Sequence, residues 1–189
     1  IGDTVVIEKG GEVIPKVIKV IDSKRTGAEK PVHIPRTCPE CGGAIAKEKE
    51  EEVALRCVNP LCPAQLVRRL LHFASREAMD IAGLGEAIAE QVVAKRVVRD
   101  LADVYRIERH QLLELELFGD KKAENVLAAI AASRSRGLAR FLYGLGIRHV
   151  GEKAALVLAQ RFGSLDRLMA ADEAELRNIP EVGPVLASS

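Results

Sequence analysis

The order of apolar and polar positions divides the chain into three unlike stretches. Thr4 to Ile7 reads as a strand, Gly10-Gly11 as a tight turn, and Val13 to Ile21 as a second β-branched run interrupted by Pro15. An isolated hairpin is at best marginally stable in water, so this pair is expected to complete a β-domain whose beginning is missing. From Asp22 to Pro35 the composition turns polar, with Ser23, Gly27, Pro31 and Pro35, which reads as a linker. After Pro63 apolar residues recur at spacings of three and four, as in Leu66, Leu70, Leu71 and Ala74. Helices are predicted over Ala64 to Ala74, Glu86 to Arg96, Lys121 to Ser133 and Glu152 to Arg161, with shorter ones between them. The chain starts without Met inside a strand pattern and stops at Ala187-Ser188-Ser189, just after a helix begins, so both ends look cut and the last unit is expected to fray.

The helical stretch repeats itself. Aligned on Gly85, Gly119, Gly151 and Gly183, the copies are spaced by 34, 32 and 32 residues. The residue before each glycine is apolar (Leu84, Phe118, Val150, Val182), four before it stands Ile81, Leu115, Ile147 or Ile179, and four after it is alanine (Ala89, Ala123, Ala155, Ala187). Seven after it come Val92, Val126 and Leu158. The glycine is read as letting the backbone turn sharply and approach another surface. A helix then starts, whose unpaired first amides carry the positive end of its dipole and suit a phosphate. This register predicts tandem helix-hairpin-helix units. A protein-binding solenoid has a similar period but other signatures: there is no Trp and no Thr-Pro-Leu-His. Only the first copy has a second glycine, Gly83; Leu117, His149 and Glu181 stand at that place.

All four cysteines fall in one short stretch, as Cys38-Pro-Glu-Cys41 and then Cys57 and Cys62. Two close pairs joined by a loop suit a tetrahedral Zn²⁺ site, with disulfides or free thiols as the alternatives. Four thiolates leave no position for water, so the zinc is expected to be structural and no catalytic residue is assigned. Only Ile45, Val53 and Leu55 are available as a core between the ligands, so metal must supply much of the folding energy, which in zinc-finger peptides is an apparent ~10 to 16 kcal/mol.

Composition narrows the function. The 189 residues are 48% apolar and 29% charged with a net charge of +1, so any nucleic-acid site must be local. Arg134, Arg136, Arg140, Arg148 and Lys153 form one basic stretch with Glu152 as its only acid, read either as such a site or as a solvated face. Aromatics are only 3%, which disfavours stacking platforms for single strands and points to duplex. No apolar run approaches a membrane span and no signal peptide is visible, so the expected location is cytoplasmic, with no membrane partner. Asp80, Asp100, Asp120 and Asp166 look like helix caps and not like the carboxylate cluster of a nuclease. His149 is assigned a phosphate or packing role, and Asn59 and Gln65 are expected to bond turn backbone.

The strings Cys38-Pro-Glu-Cys41-Gly42, Cys57-Val-Asn-Pro-Leu-Cys62-Pro63-Ala64-Gln65, Met79-Asp-Ile-Ala-Gly-Leu-Gly85 and Gly146-Ile-Arg-His-Val-Gly151-Glu-Lys153 resemble those of bacterial NAD-dependent DNA ligases. The resemblance implies a mostly α fold: a tandem helix-hairpin-helix domain preceded by a small zinc-finger module and the terminal β-hairpin of an oligonucleotide-binding (OB) barrel. It assigns 1–32 to the OB strands, 33–63 to the four-cysteine finger and 64–189 to four hairpins, the last truncated. The family seals nicks in duplex DNA in replication and repair, using NAD and Mg²⁺ to move AMP from a lysine to the 5′-phosphate. The Lys-x-Asp-Gly motif of that lysine is absent, so the chain is expected not to ligate by itself. Its implied partners are nicked double-stranded DNA, an N-terminal catalytic domain and a C-terminal BRCT domain. The metal ligands are Cys38, Cys41, Cys57 and Cys62. The DNA contact candidates are Gly83, Gly85, Gly119, Lys121, Lys122, Arg148, Gly151 and Lys153. A repair scaffold or a nuclease-associated hairpin module, binding DNA or protein, is the alternative.

Overall fold

A computed structural model describes residues 1–10, 14–47, 52–59 and 61–189. Strands β1 (Val5–Gly10) and β2 (Ile14–Val20) pair antiparallel, with an irregularity in register between Val6 and Ile7. The expected turn residue Gly11 and the start of the second run at Val13 lie outside the described residues. Neither strand buries an apolar side chain: Ile7, Ile14, Val17 and Ile18 are all exposed. The polar run after β2 is held down at its start. Asp22–Lys24 forms a 3₁₀ turn, Arg25 Nε bonds Asp3 Oδ1 at 2.6 Å, and Lys30 N donates to Ile1 O at 3.0 Å. Two short strands, β3 (Ile45–Ala46) and β4 (Arg56–Cys57), pair antiparallel in the cysteine module.

The rest is helical: α1 (Pro63–Ala74), α2 (Glu86–Ala94), a 3₁₀ helix over Leu101–Arg106, α3 (Arg109–Leu113), α4 (Asp120–Ser133), α5 (Leu138–Gly144), α6 (Glu152–Phe162), α7 (Leu165–Ala170), α8 (Glu173–Arg177) and α9 (Pro184–Ala187). The four long predicted helices are present. The second stops at Ala94, two residues short of expectation, and Arg96 then takes a left-handed φ of 57° that a helix does not continue through. No helix among the described residues is long and apolar enough to cross a membrane.

The hairpins share two cores, two hairpins to each. Leu66, Leu70, Phe73, Val92, Val104, Leu112, Val126 and Ile130 belong to the first; Leu142, Val150, Leu158, Phe162, Ile179 and Val182 belong to the second. Helices of four to fourteen residues expose too much of their apolar faces to stand alone, and pairing the units closes each face against its neighbour. The fourth unit, expected to fray, instead buries Ile179 and Val182 in the second core, and Leu186 and Ala187 pack against it.

The two cores meet where α5 presses on α1. A Cβ on Gly144 would lie 3.2 Å from Phe73 Cδ2 and 3.3 Å from Ala78 Cβ, so only a bare backbone fits comfortably there. Arg140 Nε donates to Ala78 O at 2.6 Å, and its Nη2 to Arg76 O. Arg136 Nη2 pairs with Asp80 Oδ2 at 2.6 Å, and the buried Phe73 meets Phe141 edge-on.

Within the first core, the loop of the first hairpin lies against α4 without room for a side chain. Gly83 has a φ of 90°, and a Cβ there would stand 2.8 Å from Val126 Cγ2. Gly83→Ala is therefore expected to destabilise by about 1–3 kcal/mol, through overpacking and backbone strain together. Combined with Val126→Ala the two losses should fall short of additive, because the clash is removed once. Urea unfolding of the single and double variants measures this; strict additivity would mean that the loop moves away from Val126 at no cost.

Candidate nucleic-acid interface and metal centre

The cysteine module shows what holds it when its apolar residues are located. Val53 is 93% exposed and Leu55 is exposed, so among the described residues the module's own aliphatics form no core. Its order comes from the backbone around the thiols: Cys38 N donates to Gly43 O at 2.7 Å, Gly42 N to Cys38 O at 2.9 Å, and Cys62 N to Asn59 O at 3.1 Å. Asn59 Oδ1 accepts from Leu61 N at 3.0 Å and Gln65 Nε2 donates to Cys57 O at 2.6 Å, so both side chains bond turn backbone as expected. Pro60, part of the quoted string, lies outside the described residues.

The four Sγ atoms all lie within 4.8 Å of one another, with Cys38 to Cys62 at 3.9 Å and Cys41 to Cys57 at 3.5 Å. A tetrahedral zinc with Zn–S of about 2.3 Å needs sulfur separations of about 3.8 Å, so the quartet fits that ion. The short distances join the two sequence pairs crosswise, as expected of one shared centre. The thiols differ in acidity. Hydrogen bonds from the Asn59 side chain and the Gly43 N–H hold Cys41 down at about 6. At Cys57 the Asn59 backbone N–H acts in the same sense, but burial and the neighbouring thiols Cys41, Cys38 and Cys62 outweigh it and push the group up to about 12. Bare thiols this close resist ionising together, and a bound dication removes that penalty. The group's role here is structural charge compensation and cross-linking, with all four protein ligands filling its sphere.

The hairpins place their common glycine differently from the expectation. Gly85, Gly119, Gly151 and Gly183 cap their helices with extended backbone, φ between −77° and −99°, which any residue adopts. The sharp turn sits two residues earlier, where Gly83, Leu117, His149 and Glu181 have φ of 90°, 56°, 65° and 72°. In three copies the residue before the cap donates to the carbonyl three back: Leu84 N to Ile81 O, Val150 N to Ile147 O and Val182 N to Ile179 O. These are tight turns of the kind that demand a positive φ at the third residue. The alanine four beyond each glycine donates to that glycine's carbonyl, starting the helix, and in the first three copies it is fully buried. The apolar positions of the register are likewise buried, apart from Ile147 at 37% exposure.

Packing does not require a glycine at these caps. A Cβ at Gly85, Gly119, Gly151 or Gly183 would meet nothing within 4 Å, and none of these caps has a side chain bonding the first amides. Elsewhere in the helical part, Asp100, Glu108, Ser164 and Asp172 do cap with their side chains. The N-termini of α2, α4 and α6 are thus exposed and bare of side-chain caps. The acids that open them turn aside in two cases: Glu86 pairs with Arg68 at 3.3 Å and Asp120 with Arg109. Of the four aspartates read as caps only Asp100 is one, since Asp80 pairs with Arg136, while Asp120 and Asp166 lie within helices α4 and α7.

The cations divide into two sets. Arg136 and Arg140 lock the joint between the cores, and Arg134 donates to Tyr105 O at 2.9 Å with its guanidinium 4.8 Å from that ring. These three side chains are engaged by the chain's own groups, Arg134 from an exposed position and Arg136 and Arg140 from half-buried ones. Lys121, Lys122, Arg148 and Lys153 are exposed beside the cap glycines. Lys122 Nζ bonds Leu117 O at 3.0 Å and shares a cleft with Gly83, Gly85 and Phe118. Lys153 Nζ pairs with Glu181 Oε2 of the fourth hairpin at 2.9 Å, both side chains being well exposed. Arg148 lines a separate depression with Lys47, Arg56 and the thiols of Cys38, Cys57 and Cys62. Sequence reading missed that this hairpin and the cysteine module line one depression, because no local pattern encodes the proximity of remote segments.

Residues 37–64 match the family described as NAD-dependent DNA ligase C4 zinc finger domain. Residues 75–132 match a SAM-like helix-hairpin-helix tandem, and 140–189 a helix-hairpin-helix motif. Over all 189 residues the chain is 51% identical to a DNA ligase of Geobacter sulfurreducens and 51% identical to one of Limosilactobacillus fermentum. It is 49% identical to one of Listeria innocua, and spans 28% of the length of each of these relatives.

Removing zinc with a chelator is expected to loosen 37–62 and the first turn of α1 while the hairpin helices persist, because their cores contain no metal ligand except at the Cys62 cap. Circular dichroism should lose at most a small part of its helical signal, and loss of most of it would mean that the cores depend on the metal. Zinc affinity should rise with pH, since a proton held on Cys57 up to about 12 must leave whenever the ion binds, whereas Cys41 is already ionised above about 6. Competition with a chelator across roughly pH 6.5 to 8.5 should show at least about tenfold per unit; a flat profile contradicts thiolate ligation.

Proposed function

The chain belongs to the NAD-dependent DNA ligase family, and from that premise we propose that it is the part that grips duplex DNA around a nick without reading its sequence. The observation that carries this reading is that the second helices of the first three hairpins, α2, α4 and α6, each present an exposed N-terminus opened by a glycine with open space around it and no side-chain cap. Such amides donate to phosphate oxygens, and contacts of this kind fix position along a duplex but carry no sequence information. Gly83, Gly85, Gly119 and Gly151 supply the close approach or the amides, and Lys121, Lys122, Arg148 and Lys153 the charge. The second helix of the fourth hairpin is opened by Pro184, which lacks an amide hydrogen, and that hairpin serves the second core.

Nick sealing itself belongs to the longer protein. Adenylation by NAD, transfer of AMP and attack by the 3′-hydroxyl would be carried by an N-terminal catalytic domain acting with Mg²⁺, and a C-terminal BRCT domain would complete the assembly in the cytoplasm. This chain contributes the hold on both sides of the break and does not ligate by itself. The zinc module, which lines one depression together with Arg148 of the third hairpin, would link the hairpins to the preceding β-domain. The exposed apolar residues of β1 and β2 would find their cover in that domain.

Fluorescence anisotropy of labelled nicked, intact and single-stranded DNA tests the reading. Duplex is expected to bind with a dissociation constant on the order of 10⁻⁴ to 10⁻⁶ M, weakening as salt rises. Lys121→Gln, Lys122→Gln and Lys153→Gln should each lower affinity and reduce the salt slope by about one where the lysine meets a phosphate. Absence of duplex binding at low salt, together with tight capture of a protein partner, would favour a scaffold instead.

A further inference from the structure

The tip of the second hairpin presents an unusual side chain. Leu117 is 92% exposed and holds a φ of 56°, in the left-handed region that costs a leucine roughly 1–2 kcal/mol. The equivalent place in the first hairpin is Gly83, where Val126 leaves no room for a side chain. At Leu117 there is room, and the side chain faces outward while its neighbours Leu115 and Phe118 are buried. It therefore adds nothing to the core.

The loop that carries it is clamped on both flanks. Glu116 N donates to Gln91 Oε1 at 2.7 Å, Lys95 Nζ to Glu114 O at 2.6 Å, and Lys122 Nζ to Leu117 O at 3.0 Å. The leucine is thus fixed in place before any partner arrives, and little ordering is needed when one does. Charge is divided here: Glu116 and Asp120 offset Lys121 and Lys122, although Asp120 is tied to Arg109. The lysine charge is thus partly offset at this hairpin, and an apolar contact is a further source of affinity that the surface offers.

We propose that Leu117 is a DNA-contacting residue that lays its side chain against the deoxyribose edges of the minor groove. This rests on the duplex-binding reading above and names an apolar contact within it. Leucine is among the side chains that proteins press into that groove. The contact is sequence-tolerant, because every nucleotide offers the same sugar face, and it carries no charge.

The test uses the whole chain and the same labelled nicked and intact duplexes. Leu117→Gly, which relieves the left-handed strain, and Leu117→Asn, which tolerates it while adding polarity, are compared with Leu117→Met and Lys121→Gln. Glycine and asparagine should weaken duplex binding roughly 3- to 10-fold, the scale of losing a partly buried leucine. Melting temperature should be kept or raised, and the salt slope left unchanged, while methionine retains affinity. Lys121→Gln should shift the slope, which separates charge from apolar contact. Undiminished binding by Leu117→Gly, or a slope that falls as it does for the lysine variant, overturns the proposal for Leu117 alone. If the unsubstituted chain binds no duplex, the duplex-binding reading falls and the proposal with it.

Discussion

The tight turn before each second helix is the constraint on which the helical part depends. Its third residue must take a positive φ, its fourth must enter the shared core, and the next residue then caps a helix in extended backbone. These requirements aim each helix N-terminus outward from a buried anchor, Leu84, Phe118, Val150 or Val182, lying one residue away. Helix amides that follow so closely on a core residue are positioned by packing and not by a long loop. Three of the four turns meet the positive φ with a residue other than glycine, at a cost that the buried neighbours offset.

The cores are joined as firmly as they are packed. Gly144 lets α5 approach α1 closely, Arg140 closes the free carbonyls of Arg76 and Ala78, and Arg136 pairs with Asp80. Removing such partners would leave carbonyls and charges unsatisfied in a half-buried seam, which is costlier than the bonds are individually strong. The two hairpin pairs consequently present their exposed N-termini in a fixed relation. The cysteine module works on the opposite principle, with four thiols in place of an apolar core.

Exposed and half-buried cations are committed to the chain's own groups to different degrees. Lys122 and Lys153 both have partners within the chain, a carbonyl and a carboxylate, but all four groups lie near solvent. Exposed pairs of this type are worth about 0–1 kcal/mol, less than a well-placed contact with phosphate, so they orient the side chains without withholding them. Arg136 and Arg140, reaching 56 and 62 residues back along the chain, are committed to the joint.

Short-range physics was legible in the sequence. Apolar spacing located the long helices within a residue or two, because periodicity reports the face that a helix buries, and cysteine spacing picked out the quartet, because a metal accepts only certain loops. The four-fold register of glycine, alanine and buried apolar residues could be read before any coordinates, since each copy is a local turn and helix start. What the amino-acid order left open was every matter of distance between remote segments. Five nearby basic residues looked like one patch, yet three of them bond groups of the chain itself, because only the tertiary structure brings Asp80, Tyr105 and the Arg76 and Ala78 carbonyls within reach. The residue that bears the turn, two before the glycine, was equally hidden, since leucine, histidine and glutamate share no chemistry that signals a left-handed backbone. Backbone strain of that kind is imposed by the packing on either side of it, and packing is a property of the fold.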